Sequence, residues 1–77
     1  MKKVTVYSQP DCPPCTVVKA FLQEYKVEYE EKDIKKDKRA RDELINKYQS
    51  YSTPTVVIGE EIVTGFDLEK LRKLLNL

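Results

Sequence analysis

The apolar and polar positions of this chain change period several times, and each change marks an element. Lys3-Val4-Thr5-Val6-Tyr7 alternates and is rich in β-branched residues, which predicts a strand. Ser8-Gln9-Pro10-Asp11 reads as a loop. A helix is expected to begin at Cys12 or Pro13, because proline suits the first helical position. Val17, Val18, Phe21, Leu22 and Tyr25 recur at helical spacing and are predicted to form its buried face. Val27 to Ile34 alternates at first and predicts a short strand that breaks down near Asp33. Asp37 is placed to cap a second helix, with Ala40, Leu44, Ile45 and Tyr48 turned inward. Tyr51-Ser52-Thr53-Pro54 is a turn and Thr55 to Ile58 a strand. Gly59-Glu60 fits a two-residue hairpin, and Glu61 to Thr64 returns. After Gly65-Phe66, Asp67 caps a last helix with Leu68, Leu71, Leu74 and Leu75 inward.

The order β-α-β-α-β-β-α predicts one α/β domain over residues 1–77. Its first two strands are joined through a helix and should run parallel, while the last two form a hairpin. There is no repeat, low-complexity tract or linker. A domain this small buries only roughly 60–65% of its unfolded surface. Its chemistry is therefore expected at an exposed edge rather than in a deep pocket.

Charge excludes several roles. Lys and Arg number 14 and Asp and Glu 13, a balance that offers no footprint for nucleic acid or an acidic membrane. The six basic and five acidic residues between Glu28 and Arg41 read as a solvated surface. Met1-Lys2-Lys3 leads into a short apolar stretch, far from the core of a secretory signal. No run approaches the ~18–20 apolar residues of a membrane span. The expectation is a soluble, cytoplasmic protein, monomeric by default.

The candidate chemistry lies in Cys12-Pro13-Pro14-Cys15, which holds both cysteines. As a structural staple, a disulfide closing so short a loop contributes only about 2 kcal/mol. As a closed zinc site it lacks ligands, since zinc takes four and the chain has no His. A two-coordinate Cu(I) carrier needs only two thiolates. Small copper carriers, however, usually place a methionine two residues before the first Cys, where this chain has Pro10. A redox dithiol fits best. A cysteine at a helix N-terminus has its thiolate stabilised by the helix dipole and free N–H groups, and the thiolate is the nucleophile. Pro13 and Pro14 remove two of those N–H groups, and Asp11 adds a negative charge if it points inward. Both should moderate the fall in the Cys12 pKa and favour a reductant over a strong oxidant.

Three motifs together resemble the glutaredoxin-like redoxins of the thioredoxin superfamily. Val4-Thr5-Val6-Tyr7 runs into Cys12-Pro13-Pro14-Cys15, Thr53-Pro54 precedes a hairpin, and Gly65-Phe66-Asp67 opens the last helix. The resemblance implies a thioredoxin-like fold: a four-stranded mixed sheet flanked by three helices. It implies a cis Thr53–Pro54 bond facing the dithiol, with the Thr53 backbone free to pair with a bound peptide or thiol. It implies a dithiol–disulfide oxidoreductase in which Cys12 attacks and Cys15 resolves. Pro13, Pro14, Thr53, Pro54, Gly65, Phe66, Asp67 and Tyr7 would shape the substrate edge, Tyr7 and Phe66 being equally suited to the core. No bound metal or cofactor is implied. The partners would be disulfide-containing proteins and an electron donor, either glutathione as co-substrate or a thioredoxin reductase. Two departures bear on the donor. Glutathione-using members often carry a basic residue just before the Cys pair and a Gly-Gly pair with two acids near the last helix. This chain has Ser8-Gln9-Pro10-Asp11 and Thr64-Gly65-Phe66-Asp67 instead. In this it is similar to the redoxins that feed ribonucleotide reductase and are reduced by thioredoxin reductase. The rival class is a soft-metal or iron–sulfur carrier using the same two cysteines.

Overall fold

The computed structural model describes residues 3–50, 53–65 and 67–76. Its elements run β1 (Val4–Ser8), α1 (Pro13–Glu24), β2 (Glu30–Asp33), α2 (Lys38–Asn46), β3 (Thr55–Ile58), β4 (Glu61–Thr64) and α3 (Leu68–Leu75). The strands form one sheet in the order β2-β1-β3-β4. β1 and β2 are parallel, with Val6 beside Glu31. β1 and β3 are antiparallel, with Tyr7 beside Thr55, and β4 returns antiparallel to β3. No helix of the described residues is long and apolar enough to cross a membrane.

Strand residues alternate between faces, and here both faces of the central strands are covered. Val4, Val6, Val56, Ile58 and Val63 pack with Val18 and Leu22 of α1 and Leu71 of α3. The opposite face presents Tyr7 and Val57 to Ala40 and Leu44 of α2. Coverage on both sides explains why every residue of β1 and β3 is buried. Asp37 and Asp67 cap α2 and α3 by accepting from the N–H groups of Ala40 and Lys70. Such a cap stabilises by about 1 kcal/mol.

Two expectations need correction. Val17 and Tyr25 are 42% and 44% exposed rather than buried. The face of α1 that meets the sheet is the stripe Cys15, Val18 and Leu22, with Phe21 at its margin. One residue along a helix is about 100° of rotation, so Val17 turns away while Val18 turns in. β2 starts at Glu30, not Val27. The Val27 N–H is already bonded to the Leu22 carbonyl at 2.9 Å and the Lys26 N–H to Gln23 at 3.0 Å. Lys26 has φ 56°, so the pattern is a Schellman cap that ends α1 with lysine where glycine is usual. Backbone committed to that cap cannot join the ladder.

Candidate active site

The two cysteines lie beyond the carboxyl end of β1. Asp11, with φ 57°, turns the chain out of the loop, and Cys12 takes an extended N-cap conformation with φ −117° and ψ 94°. Pro13 and Pro14 follow at the first two helical positions, where a missing N–H costs no helical hydrogen bond. Cys12 and Cys15 form a disulfide with their Cα atoms 5.2 Å apart. The Cys15 N–H also donates to Cys12 Sγ at 3.3 Å. Thr16 secures the turn, its N–H and hydroxyl reaching the Cys12 carbonyl at 3.2 and 3.4 Å. The two sulfurs differ in access: Cys15 is 2% exposed, whereas Cys12 is half-buried.

A second segment completes the site. Thr53–Pro54 is cis, and Thr53 Oγ1 lies 3.6 Å from Cys12 Sγ. Pro54 is buried, and its carbonyl accepts from the Gly65 N–H at 2.8 Å. That bond ties the loop before α3 to the cis proline. Gly65 has φ +72°, a conformation that a side chain rarely tolerates, although a Cβ there would meet nothing within 4 Å. Cys12, Cys15, Pro13, Pro14, Thr53 and Pro54 thus converge, with Gly65 linked through Pro54. Asp67 spends its carboxylate on capping α3. Phe66 lies outside the described residues.

Tyr7 is not on this rim. It is 1% exposed, packed under α2, and its hydroxyl donates to Glu43. Alternation along β1 sends it to the α2 face. Burial, reinforced by the Glu43 carboxylate, raises its pKa well above the usual tyrosine value. Glu43 is held below the usual carboxylate range by that same hydrogen bond and by Lys32, whose amine is 3.1 Å away. A second cluster flanks α1. Glu31 accepts from Lys19 and from Ser8 Oγ, each at 2.7 Å, and both contacts lower its pKa. Neither cluster is visible in the sequence, because each joins residues from separate elements.

The site is an edge, not a cavity. A concavity of about 940 Å³ lies at the opposite end of the sheet, among Val4, Val27, Ile58 and Leu74, and contains neither cysteine. Among the described residues no group of three or more His, Cys, Asp or Glu is arranged to hold a metal.

The Glutaredoxin family model matches residues 4–63. The chain belongs to the glutaredoxin family. The thioredoxin-like protein BC3987 superposes with a TM-score of 0.92 at 60% identity, covering 94% of this chain and 99% of that one. A glutaredoxin of Archaeoglobus fulgidus gives a TM-score of 0.84 at 30% identity, over 100% of this chain and 89% of that one. The glutaredoxin-like NrdH-redoxin of Escherichia coli shares the fold, with a TM-score of 0.82 at 22% identity over 94% and 93% of the two chains. The family and a close cysteine pair on a thioredoxin-like fold agree with a redox role for this glutaredoxin.

Proposed function

We propose that this glutaredoxin is a dithiol–disulfide oxidoreductase working through Cys12 and Cys15. The observation that carries the reading is the pair itself. One cysteine is half-buried at a helix N-cap, and its partner is buried one turn on and already bonded to it. In the reduced protein the Cys12 thiolate attacks a substrate disulfide, forming a Cys12–substrate mixed disulfide and releasing one substrate thiol. Cys15 loses its proton and attacks Cys12 Sγ, which expels the second substrate thiol and closes the Cys12–Cys15 bond. Two electrons and two protons pass to the substrate. An external donor then restores the dithiol, either two molecules of glutathione, which leave as their disulfide, or the dithiol of a thioredoxin reductase.

The Cys15 N–H and the Thr53 hydroxyl are positioned to stabilise charge on Cys12 Sγ. Pro13 and Pro14 keep the approach to that sulfur free of competing donors. The backbone of Thr53, with Pro54, Gly65 and Asp67 behind it, forms an edge along which a substrate strand can pair. No bound cofactor is required; glutathione enters only as co-substrate. The absence of a basic residue in Ser8-Gln9-Pro10-Asp11 favours the reductase as donor.

The test is to incubate oxidised protein with excess reduced glutathione, quench with acid and take an intact mass. A parallel reaction supplies NADPH and a thioredoxin reductase. The expected result is reduction in the second reaction and persistent disulfide in the first. Reduction by glutathione alone would reassign the donor, and reduction by neither would remove the proposed cycle.

A further inference from the structure

Among the described residues, the large apolar side chains left exposed are Val17, on the helix that follows Cys12, and Tyr25, at the C-cap of that helix. They belong to one row. Pro13, Val17, Phe21 and Tyr25 are spaced four residues apart, which on an α-helix makes a continuous surface ridge. Pro13 is exposed, and Phe21 is half-buried with its ring 4.9 Å from that of Tyr25. The ridge starts at the residue bonded to Cys12 and runs about 18 Å, twelve residues at about 1.5 Å each.

The four ridge residues carry no charge in a chain that is 35% charged, and charge borders the ridge at its far end, where Glu24 and Lys26 flank Tyr25. The helical neighbours of Val17 are Pro13, Pro14, Thr16, Ala20 and Phe21, none of them ionisable. From Pro13 to Gln23 the one charged residue is Lys19, and its amine is drawn to Glu31 of β2, 2.7 Å away. Exposed apolar side chains scattered singly need no explanation, but a contiguous uncharged row marks an interaction surface.

We infer that the Pro13–Val17–Phe21–Tyr25 ridge of α1 is a docking face for protein substrates whose surface beside the reactive disulfide is apolar and uncharged. The inference rests on the redox reading of Cys12 and Cys15. The ridge is continuous with the reactive cysteine: it opens at Pro13, bonded to Cys12, and only a macromolecule held on Cys12 is large enough to reach along it to Tyr25. The ridge therefore discriminates between protein disulfides and small ones. Transient redox encounters bury small areas, so a few such side chains carry a large share of the contact energy.

The test compares wild type with a Val17→Ser, Tyr25→Ser double variant. Neutral replacements remove the apolar surface without adding electrostatic steering. Both sites are exposed, and thermal unfolding verifies that the fold is retained. Insulin serves as the protein disulfide and hydroxyethyl disulfide as the small one, with reductant and pH held the same. The expected result is a fall of about fivefold or more in kcat/KM for insulin, with the small-disulfide rate within about twofold of wild type. An unchanged insulin rate, or an equal loss on both substrates, overturns the docking face while leaving the redox reading intact. Wild type inactive on both disulfides removes the redox reading itself. Sedimentation of wild type and variant is the companion measurement. A concentration-dependent dimer that the variant dissolves would assign the ridge to a second copy of the chain and overturn the substrate role.

Discussion

Thr53→Val is the perturbation that probes the dithiol most finely. Valine keeps the shape and β-branching of threonine and removes only the hydroxyl, which lies 3.6 Å from Cys12 Sγ. A hydrogen bond to a charged partner contributes ~1.5–3 kcal/mol, against ~0.5–1.5 kcal/mol for a neutral pair. The hydroxyl is near Sγ in the disulfide, where sulfur is neutral, and would face a charged thiolate after reduction. What matters is the difference between the two states, about 1 kcal/mol once the long contact to sulfur is allowed for. Losing it destabilises the reduced form. The potential of Thr53→Val should therefore fall by about 20 mV, a roughly fivefold shift in the exchange equilibrium. The assay equilibrates each protein with graded mixtures of oxidised and reduced dithiothreitol at a pH where Cys12 is ionised. Free thiols are then alkylated and counted by mass. A potential unchanged within about 5 mV, or one that rises, would refute the role given to the hydroxyl.

Other positions give separate outcomes. Tyr7→Phe removes the hydrogen bond to Glu43 beneath α2 and should cost about 1–3 kcal/mol in chemical denaturation, since the partner is charged. The raised Tyr7 pKa contributes stability that is present below the ordinary tyrosine value of 10.0 and is lost as pH rises above it. Tyr7→Phe should therefore flatten the alkaline fall in stability, and an unchanged alkaline arm would contradict the assignment. Glu31 and Glu43, both depressed, contribute stability that is present above the unfolded carboxylate value of 4.5 and is lost as pH falls below it. Glu43→Gln should blunt that acid loss in denaturation midpoints measured across pH. Gly65→Ala should destabilise by ~1–2 kcal/mol through the left-handed backbone alone, since a Cβ there meets no neighbour. A loss several times larger would mean that the loop beside Pro54 is tighter than the structure indicates.

The elements that could be read in the sequence are those with local causes. Alternation in Val4–Tyr7 and Thr55–Ile58, proline after Cys12, and the capping carboxylates of Asp37 and Asp67 each act over a few residues. The strands and helices of the described residues and the placing of Cys12 and Cys15 could be anticipated from such local patterns, β2 with its start three residues early. The misreadings have tertiary causes. Val17 and Tyr25 share the periodicity of buried residues, but the sheet covers only the stripe through Val18 and Leu22. Tyr7 carries no local sign of which helix will cover it, so its place under α2 appears only when β1 and α2 are packed together. Lys26 ends α1 in a conformation usually given to glycine, so no glycine marks the cap in the sequence and the alternation from Val27 reads as strand. The resemblance placed a cis Thr53–Pro54 facing the dithiol, as the structure has it, while the contact of the Thr53 hydroxyl with Cys12 Sγ joins two distant segments and is purely tertiary.

In the proposed cycle Cys12 is the attacking sulfur and Cys15 the resolving one. The most direct measurement is the intact mass of Cys15→Ser after exposure to hydroxyethyl disulfide, with Cys12→Ser treated alongside. A single adduct of one mercaptoethanol half on Cys15→Ser, with Cys12→Ser left largely unmodified, is the predicted result. The accessible sulfur is then trapped at the mixed disulfide while the buried one does not start the exchange. Equal modification of both variants, or an adduct on Cys12→Ser alone, would contradict the assignment.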